Sequence, residues 1–160
     1  MGRGRAQRQC DRRLEKRTHA HPIQAVMNIV LDTNCLLMSL SRRSRYYPVW
    51  RNFVDGKYTL CITNEILAEY EEILTQKVGP EIASNVIKAL LDLPNTKMVQ
   101  IYYHLRLVTA DPDDDKFVDC AFKANAKYIV TQDHHYDVLK QTPFPRIEVV
   151  DIDEFLSILR

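Results

Sequence analysis

The chain reads as an α/β protein built on a central, mostly parallel sheet of four to five strands, and three observations predict this. From Met27 onward, short apolar runs alternate with longer amphipathic stretches, the pattern of strands joined by helices and covered on both faces. Several of the short runs end abruptly in an acidic or polar residue, as expected where a buried strand emerges at a sheet edge. No internal repeat, low-complexity segment or interior linker interrupts the pattern, so residues 27–160 are expected to form one domain.

Taken in order, Asn28–Leu31 is the first strand, followed by a helix through Leu36, Leu37 and Leu40. The basic turn Arg42-Arg43-Ser44-Arg45 leads to a second helix, Tyr46 to Val54, closed by Asp55-Gly56. Thr59–Ile62 is the second strand. Thr63 then caps a helix whose Ile66, Leu67, Tyr70, Ile73 and Leu74 share one face. Pro80 opens another helix at its first turn, with Ile82, Val86, Leu90 and Leu93 inward, so 63–93 is expected to form a helical pair inserted between strands. Lys97–Tyr102 is a third strand. Asp113 or Asp114 begins a helix containing Phe117, Val118, Ala121 and Phe122. Tyr128–Val130 is a fourth strand and His134–Lys140 a short helix. Pro143 and Pro145 mark a loop before a strand at Ile147–Val150, and Asp151 caps a terminal helix with Phe155, Leu156 and Leu159.

Composition excludes several classes. The 160 residues are 46% apolar and 27% charged, ordinary for a globular domain large enough to bury a core. No apolar run approaches the ~20 residues that span a bilayer, and no apolar stretch follows the basic start as in a secretory signal. Membrane association is not expected. Cys10, Cys35, Cys61 and Cys120 show no paired spacing and read as reduced thiols of a cytoplasmic protein. The net charge of +1 hides an asymmetry: residues 1–26 carry seven basic side chains against two acidic ones, leaving −4 on the remainder. Such an arm could hold nucleic acid electrostatically. Its lack of hydrophobic periodicity favours a disordered segment, or one that precedes a start at Met27.

Four acidic motifs carry the chemistry. Asp32 follows Ile29-Val30-Leu31 and precedes Thr33 and Asn34, whose side chains offer further oxygens. As an N-cap alone it would be worth ~1 kcal/mol. Glu65 and Glu69 lie one helical turn apart and can face the same edge. Asp111-Pro112-Asp113-Asp114-Asp115 holds more carboxylates than a helix N-terminus needs, and with Asp114 as a ligand Phe117 and Ala121 bury the helix behind it. Asp119, one turn from Asp115, reads as a surface or rim residue. Asp133 ends Tyr128-Ile129-Val130-Thr131-Gln132. A parallel sheet draws the ends of its strands to one edge, where the four acids would repel each other unless a divalent cation compensates them. Oxygen ligands favour Mg²⁺ or Mn²⁺. Adjacent His134 and His135 do not converge easily on one zinc ion; as contacts they would meet substrate phosphate, and otherwise they are surface residues. The reading is a metal-dependent nuclease.

In this order and spacing, Leu-Asp-Thr-Asn, a glutamate in an amphipathic helix, Asp-Pro-Asp-Asp-Asp-x-Phe and Val-Thr-x-Asp resemble the PIN-domain family, in particular its VapC-like toxin branch. The resemblance covers roughly 27–160. It implies a three-layer α/β/α fold and a Mg²⁺- or Mn²⁺-dependent endoribonuclease, the toxin of a toxin–antitoxin pair. The matching positions are Asp32, Glu69, Asp114 and Asp133, with Asp113 and Asp115 as alternatives at the third and Asn34 and Thr131 as neighbouring polar positions. Cleavage would leave a 5′-phosphate, on RNA presented as a single strand or loop. Arg42, Arg43 and Arg45 are candidate contacts to the RNA backbone, or else a solvated basic turn. The resemblance also implies an antitoxin protein over the site and a homodimer. Two other readings compete: hydrolysis through an aspartyl-phosphate on Asp32, which wants a second aspartate where Asn34 stands, and a catalytically silent RNA-binding or interaction module.

Overall fold

The structure, a computed structural model, describes residues 26–160. The expected basic arm therefore lies almost wholly outside the described residues. Among the described residues, five strands form one parallel sheet: β1 (Asn28–Leu31), β2 (Thr59–Ile62), β3 (Thr96–Met98), β4 (Tyr128–Val130) and β5 (Val149–Val150), in the spatial order β3-β2-β1-β4-β5. Successive side chains on a strand point to opposite faces. Ile29, Val30 and Leu31 are all buried, as are Leu60, Cys61 and Ile62, so helices cover the sheet on both sides in the expected three-layer arrangement.

The described residues also form six α-helices that flank it: α1 (Thr33–Ser39), α2 (Tyr47–Val54), α3 (Asn64–Val78), α4 (Pro80–Asp92), α5 (Asp115–Lys123) and α6 (Ile152–Ile158). Their boundaries follow local chemistry. Thr63 caps α3 by accepting a hydrogen bond from the Ile66 amide at 3.1 Å. Asp151 and Glu154 form a reciprocal capping box on α6. α3 and α4 pack together as the expected helical pair. The chain turns between them at Gly79, whose φ of 90° suits a residue without Cβ, and Pro80 starts the next helix. The Tyr70 hydroxyl on α3 donates to the Leu31 carbonyl at the end of β1, tying the pair to the centre of the sheet.

Several expectations needed correction. The third strand ends at Met98, not Tyr102. Its last ladder bond runs from the Val99 amide to the Ile62 carbonyl at 2.7 Å, and β2 then gives way to the α3 cap, leaving this edge strand no further partner among the described residues. The last strand is confined to Val149–Val150, and residues 134–141 form a 3₁₀ rather than an α-helical segment. On α4 the inward face is Ala83, Val86 and Leu90, while Ile82 is 50% exposed and Leu93 half-buried. Phe122 is also exposed. No described helix is long and apolar enough to cross a membrane.

The largest correction concerns Asp119, expected at the surface and found 3% exposed. Residues 99–110 form no regular element and run alongside α5. Beyond Val99, their polar backbone needs partners from outside the sheet. Asp119 accepts from the Leu105 amide at 2.9 Å and meets His104 Nδ1 at 3.0 Å, and Asp115 accepts from the Val108 amide at 2.7 Å. Asp119→Ala is expected to destabilise the protein by ~1–3 kcal/mol, the cost of stranding a buried amide. It should also speed proteolysis within residues 99–110. Denaturant titration and limited proteolysis would check this, and an unchanged cleavage rate there would refute the anchoring role.

Candidate metal centre

The strand order reverses after β3, when the chain returns to pair β4 with the free side of β1. The carboxyl ends of β1 and β4 therefore flank the point where open α/β sheets leave a crevice. Asp32 follows β1 directly, its amide still bonded to the Val130 carbonyl at 3.0 Å. Asp32 stands at the N-cap position of α1, yet its side chain makes no capping hydrogen bond. Its Oδ2 instead accepts from the Thr131 hydroxyl at 2.8 Å, across the switch point. The same hydroxyl accepts from the Asp133 amide at 3.0 Å, which fixes the turn that carries Asp133.

Asp32 is 8% exposed. Burial pushes its carboxyl up to about 6; the Thr131 hydroxyl and the Thr33 amide oppose this, and the charges of Asp114 and Glu69 add to it. Those two carboxylates arrive on different helices. Glu69 is brought in by α3, where Thr33 Oγ1 donates to its Oε1 at 2.6 Å and the Lys116 ammonium pairs with its Oε2. Asp114 ends the 3₁₀ turn Pro112–Asp114 that feeds α5, with Phe117 and Ala121 buried behind it as expected. Burial raises its pKa, the His135 hydrogen bond opposes that, and Asp111 and Asp133 raise it further.

The remaining candidates divide. Asp133 caps the 3₁₀ segment by accepting from the His135 amide at 2.9 Å, and its Oδ1 lies 3.2 Å from His135 Nδ1. Asp115 is turned to the Val108 amide, and Asp113 is exposed beside the Lys116 charge. Asn34 and Glu65 are exposed as well. Arg42 and Arg43 are exposed, but Arg45 pairs with Asp153 on α6 at 2.7 Å.

Three residues take roles here beyond the sequence expectations: Asp111, His135 (expected only as a phosphate contact or surface residue) and Lys116. Asp111, Asp114 and His135 each place one ligand atom within 4.8 Å of the others, a spacing that could hold a metal ion. His135 Nδ1 is 3.3 Å from Asp114 Oδ2, whereas His134 turns to Asp137, so the adjacent histidines diverge. Lys116 is the third; its side chain is only 14% exposed. Burial works to lower its pKa, but the Glu69 hydrogen bond and charge prevail and leave it raised. A lysine in the first turn of a helix opposes the macrodipole. That misfit was the available sequence signal.

A family profile described as the PIN domain matches residues 28–135. No curated protein matches the chain. Among solved structures, VapBC2 from Rickettsia felis bound to a DNA fragment from its promoter is similar, with a TM-score of 0.55 and 17% identity over 78% of this chain and 98% of that one. DNA-bound VapBC from Salmonella typhimurium has a TM-score of 0.54 and 15% identity over 79% and 99%. VapBC-1 from nontypeable Haemophilus influenzae has a TM-score of 0.54 and 13% identity over 79% and 99%. At these identities the likeness concerns the fold.

The Asp32 environment fixes a pH dependence. The unfolded chain releases this proton near 3.8 and the folded protein near 6, so ionisation favours unfolding as pH rises between those values. The contribution is absent below about pH 4 and reaches on the order of 2–3 kcal/mol of destabilisation above about pH 6. Asp32→Asn is therefore expected to melt several degrees above the parent at pH 8 in chelator, with no such gain at pH 3.5. Thermal melts at the two pH values would check this, and a variant no more stable at pH 8 would contradict it.

Proposed function

The chain belongs to the PIN-domain family, and from that premise we propose that it is a Mg²⁺- or Mn²⁺-dependent endoribonuclease. The observation that carries the reading is the buried Asp32 carboxylate at the β1–β4 switch point, held by Thr131 and facing the charges of Asp114 and Glu69. Nothing in a capping or packing role requires those charges together, and their mutual repulsion favours a divalent cation.

Asp111, Asp114 and His135 are spaced to share such an ion, Asp133 approaches His135, and the charge of Asp114 acts on Asp32. Asp32, Glu69, Asp114 and Asp133 are the proposed metal-binding and catalytic residues, with Asp111 and the His135 ring beside them. Oxygen-rich sites of this kind suit Mg²⁺ and Mn²⁺. When bound, the metal supplies a water of lowered pKa and shields the charge of the phosphate. The protein's own groups do the positioning. Thr131 orients Asp32 and Asp133 through one hydroxyl, Thr33 orients Glu69, and His135 lies between Asp114 and Asp133. Single-stranded or looped RNA presents an accessible phosphodiester to such an exposed edge. Arg42 and Arg43 remain proposed contacts to its backbone; Arg45 would have to leave Asp153 to join them.

The finer reading is the toxin of a cytoplasmic toxin–antitoxin pair, with an antitoxin protein covering the site and a homodimer as the working form. The VapC-like order of the acidic motifs and the fold shared with VapBC assemblies support it.

Full-length protein incubated with labelled single-stranded RNA is expected to cleave it with Mn²⁺ or Mg²⁺ and to stop on chelation. Asp32→Asn should lose about two orders of magnitude or more of that rate, the scale on which removal of one charge-stabilising group acts. Thr131→Val should lose about tenfold to a hundredfold, because it removes only the support of a ligand. Equal cleavage by parent and Asp32→Asn would reject the site. A folded protein that binds RNA but cleaves none of a broad panel would be a silent binding module instead.

A further inference from the structure

The acids at the switch point are not equally compensated. Both oxygens of Glu69 are engaged within the chain, Oε1 by the Thr33 hydroxyl and Oε2 by the Lys116 ammonium. Lys116 is largely enclosed, and the charges of Asp113 and Glu65 also act on it, so it has more than one reason to stay. On the other side, Asp32 has only neutral partners, the Thr131 hydroxyl and the Thr33 amide, and Asp114 and Asp133 share the single imidazole of His135, which is cationic only when protonated, with Asp111 nearby. Among the described residues, the permanent positive charge paired with these acids thus sits on the Glu69 side.

Resting on the metal-site reading above, we propose that Lys116 is a resident counter-ion that limits the site to one tightly held divalent cation. That ion is held directly by Asp32, Asp114 and their neighbours, while Glu69, kept by Lys116, serves it only through water. A second divalent ion must displace the ammonium to reach Glu69. Lys116 is a positioning residue in this scheme: it acts through Glu69, and it sets how many metal ions the carboxylates accept. Charge at such short range strongly affects the binding of another cation, because the enclosed site screens it poorly.

Manganese itself is the probe. Full-length protein stripped with chelator is titrated with Mn²⁺ and the free ion is read by electron paramagnetic resonance. The parent is expected to bind one Mn²⁺ tightly. Lys116→Met, which removes the charge and keeps the length, should bind a second ion. Lys116→Gln, which can still hydrogen-bond Glu69, is run beside it so that a folding defect in one variant does not decide the result. Lys116→Arg should remain at one ion. Adding Glu69→Gln to Lys116→Met should abolish the second ion, which ties the effect to this pair.

Unchanged or weaker Mn²⁺ binding in both uncharged variants would overturn the proposal, as would a second ion that survives Glu69→Gln. Either result, with the parent still binding one ion, would leave the metal-dependent nuclease reading standing. A parent that binds no Mn²⁺ would overturn both.

Discussion

The hydrogen bond from Thr131 to Asp32 joins two strand ends that are 99 residues apart in the chain, and the candidate site is arranged around it. It exists because the chain reaches β3, turns back and lays β4 against the open side of β1. An ionised carboxylate taken out of water is costly without compensation, and the hydroxyl offsets only part of that cost. The remainder shows in the raised pKa of Asp32. The fold therefore spends stability at this point, as functional sites commonly do. Phe117 and Ala121 on α5 and Tyr70 on α3 are buried in the core behind the site.

Charge at the sheet edge is sorted by position. Acids whose work is architectural have amide partners: Asp115 takes the Val108 amide, Asp119 the Leu105 amide, and Asp151 the first turn of α6. Asp32 and Asp114 are served chiefly by a hydroxyl and an imidazole, with the Thr33 amide adding to the first. Asp133 does both, capping the following 3₁₀ segment while facing His135. Chemically identical side chains thus divide by what the backbone around them still needs.

The parts legible in the amino-acid order were those with a short-range cause. Apolar runs of three or four residues ending in Asp32 or Thr131 marked strands and their exits, and the i, i+3 and i+7 spacing of Asp114, Phe117 and Ala121 placed a buried helix behind an acid. What escaped depends on contacts far apart in sequence. The end of β3 is set by where β2 stops, and the burial of Asp119 by an irregular segment with no periodic signal of its own. Ile82 and Ala83 illustrate a finer limit. One residue of rotation on α4 decides which faces the core, and the smaller side chain wins where α3 packs close. His135 entered the site only because the 3₁₀ segment after Asp133 turns it inward and its neighbour outward.

The two borders of the sheet are short. β3 contributes three residues with Lys97 and Met98 exposed, and β5 contributes two. A border strand offers unpaired amides and carbonyls to any other chain, and brevity and charge are the usual ways of blunting that offer. Growth of this sheet by strand addition from another molecule is correspondingly disfavoured. Among the described residues, the larger surfaces open to another molecule, including a second copy, are those of helices and loops, which are read by side-chain shape and charge rather than by main-chain hydrogen bonding.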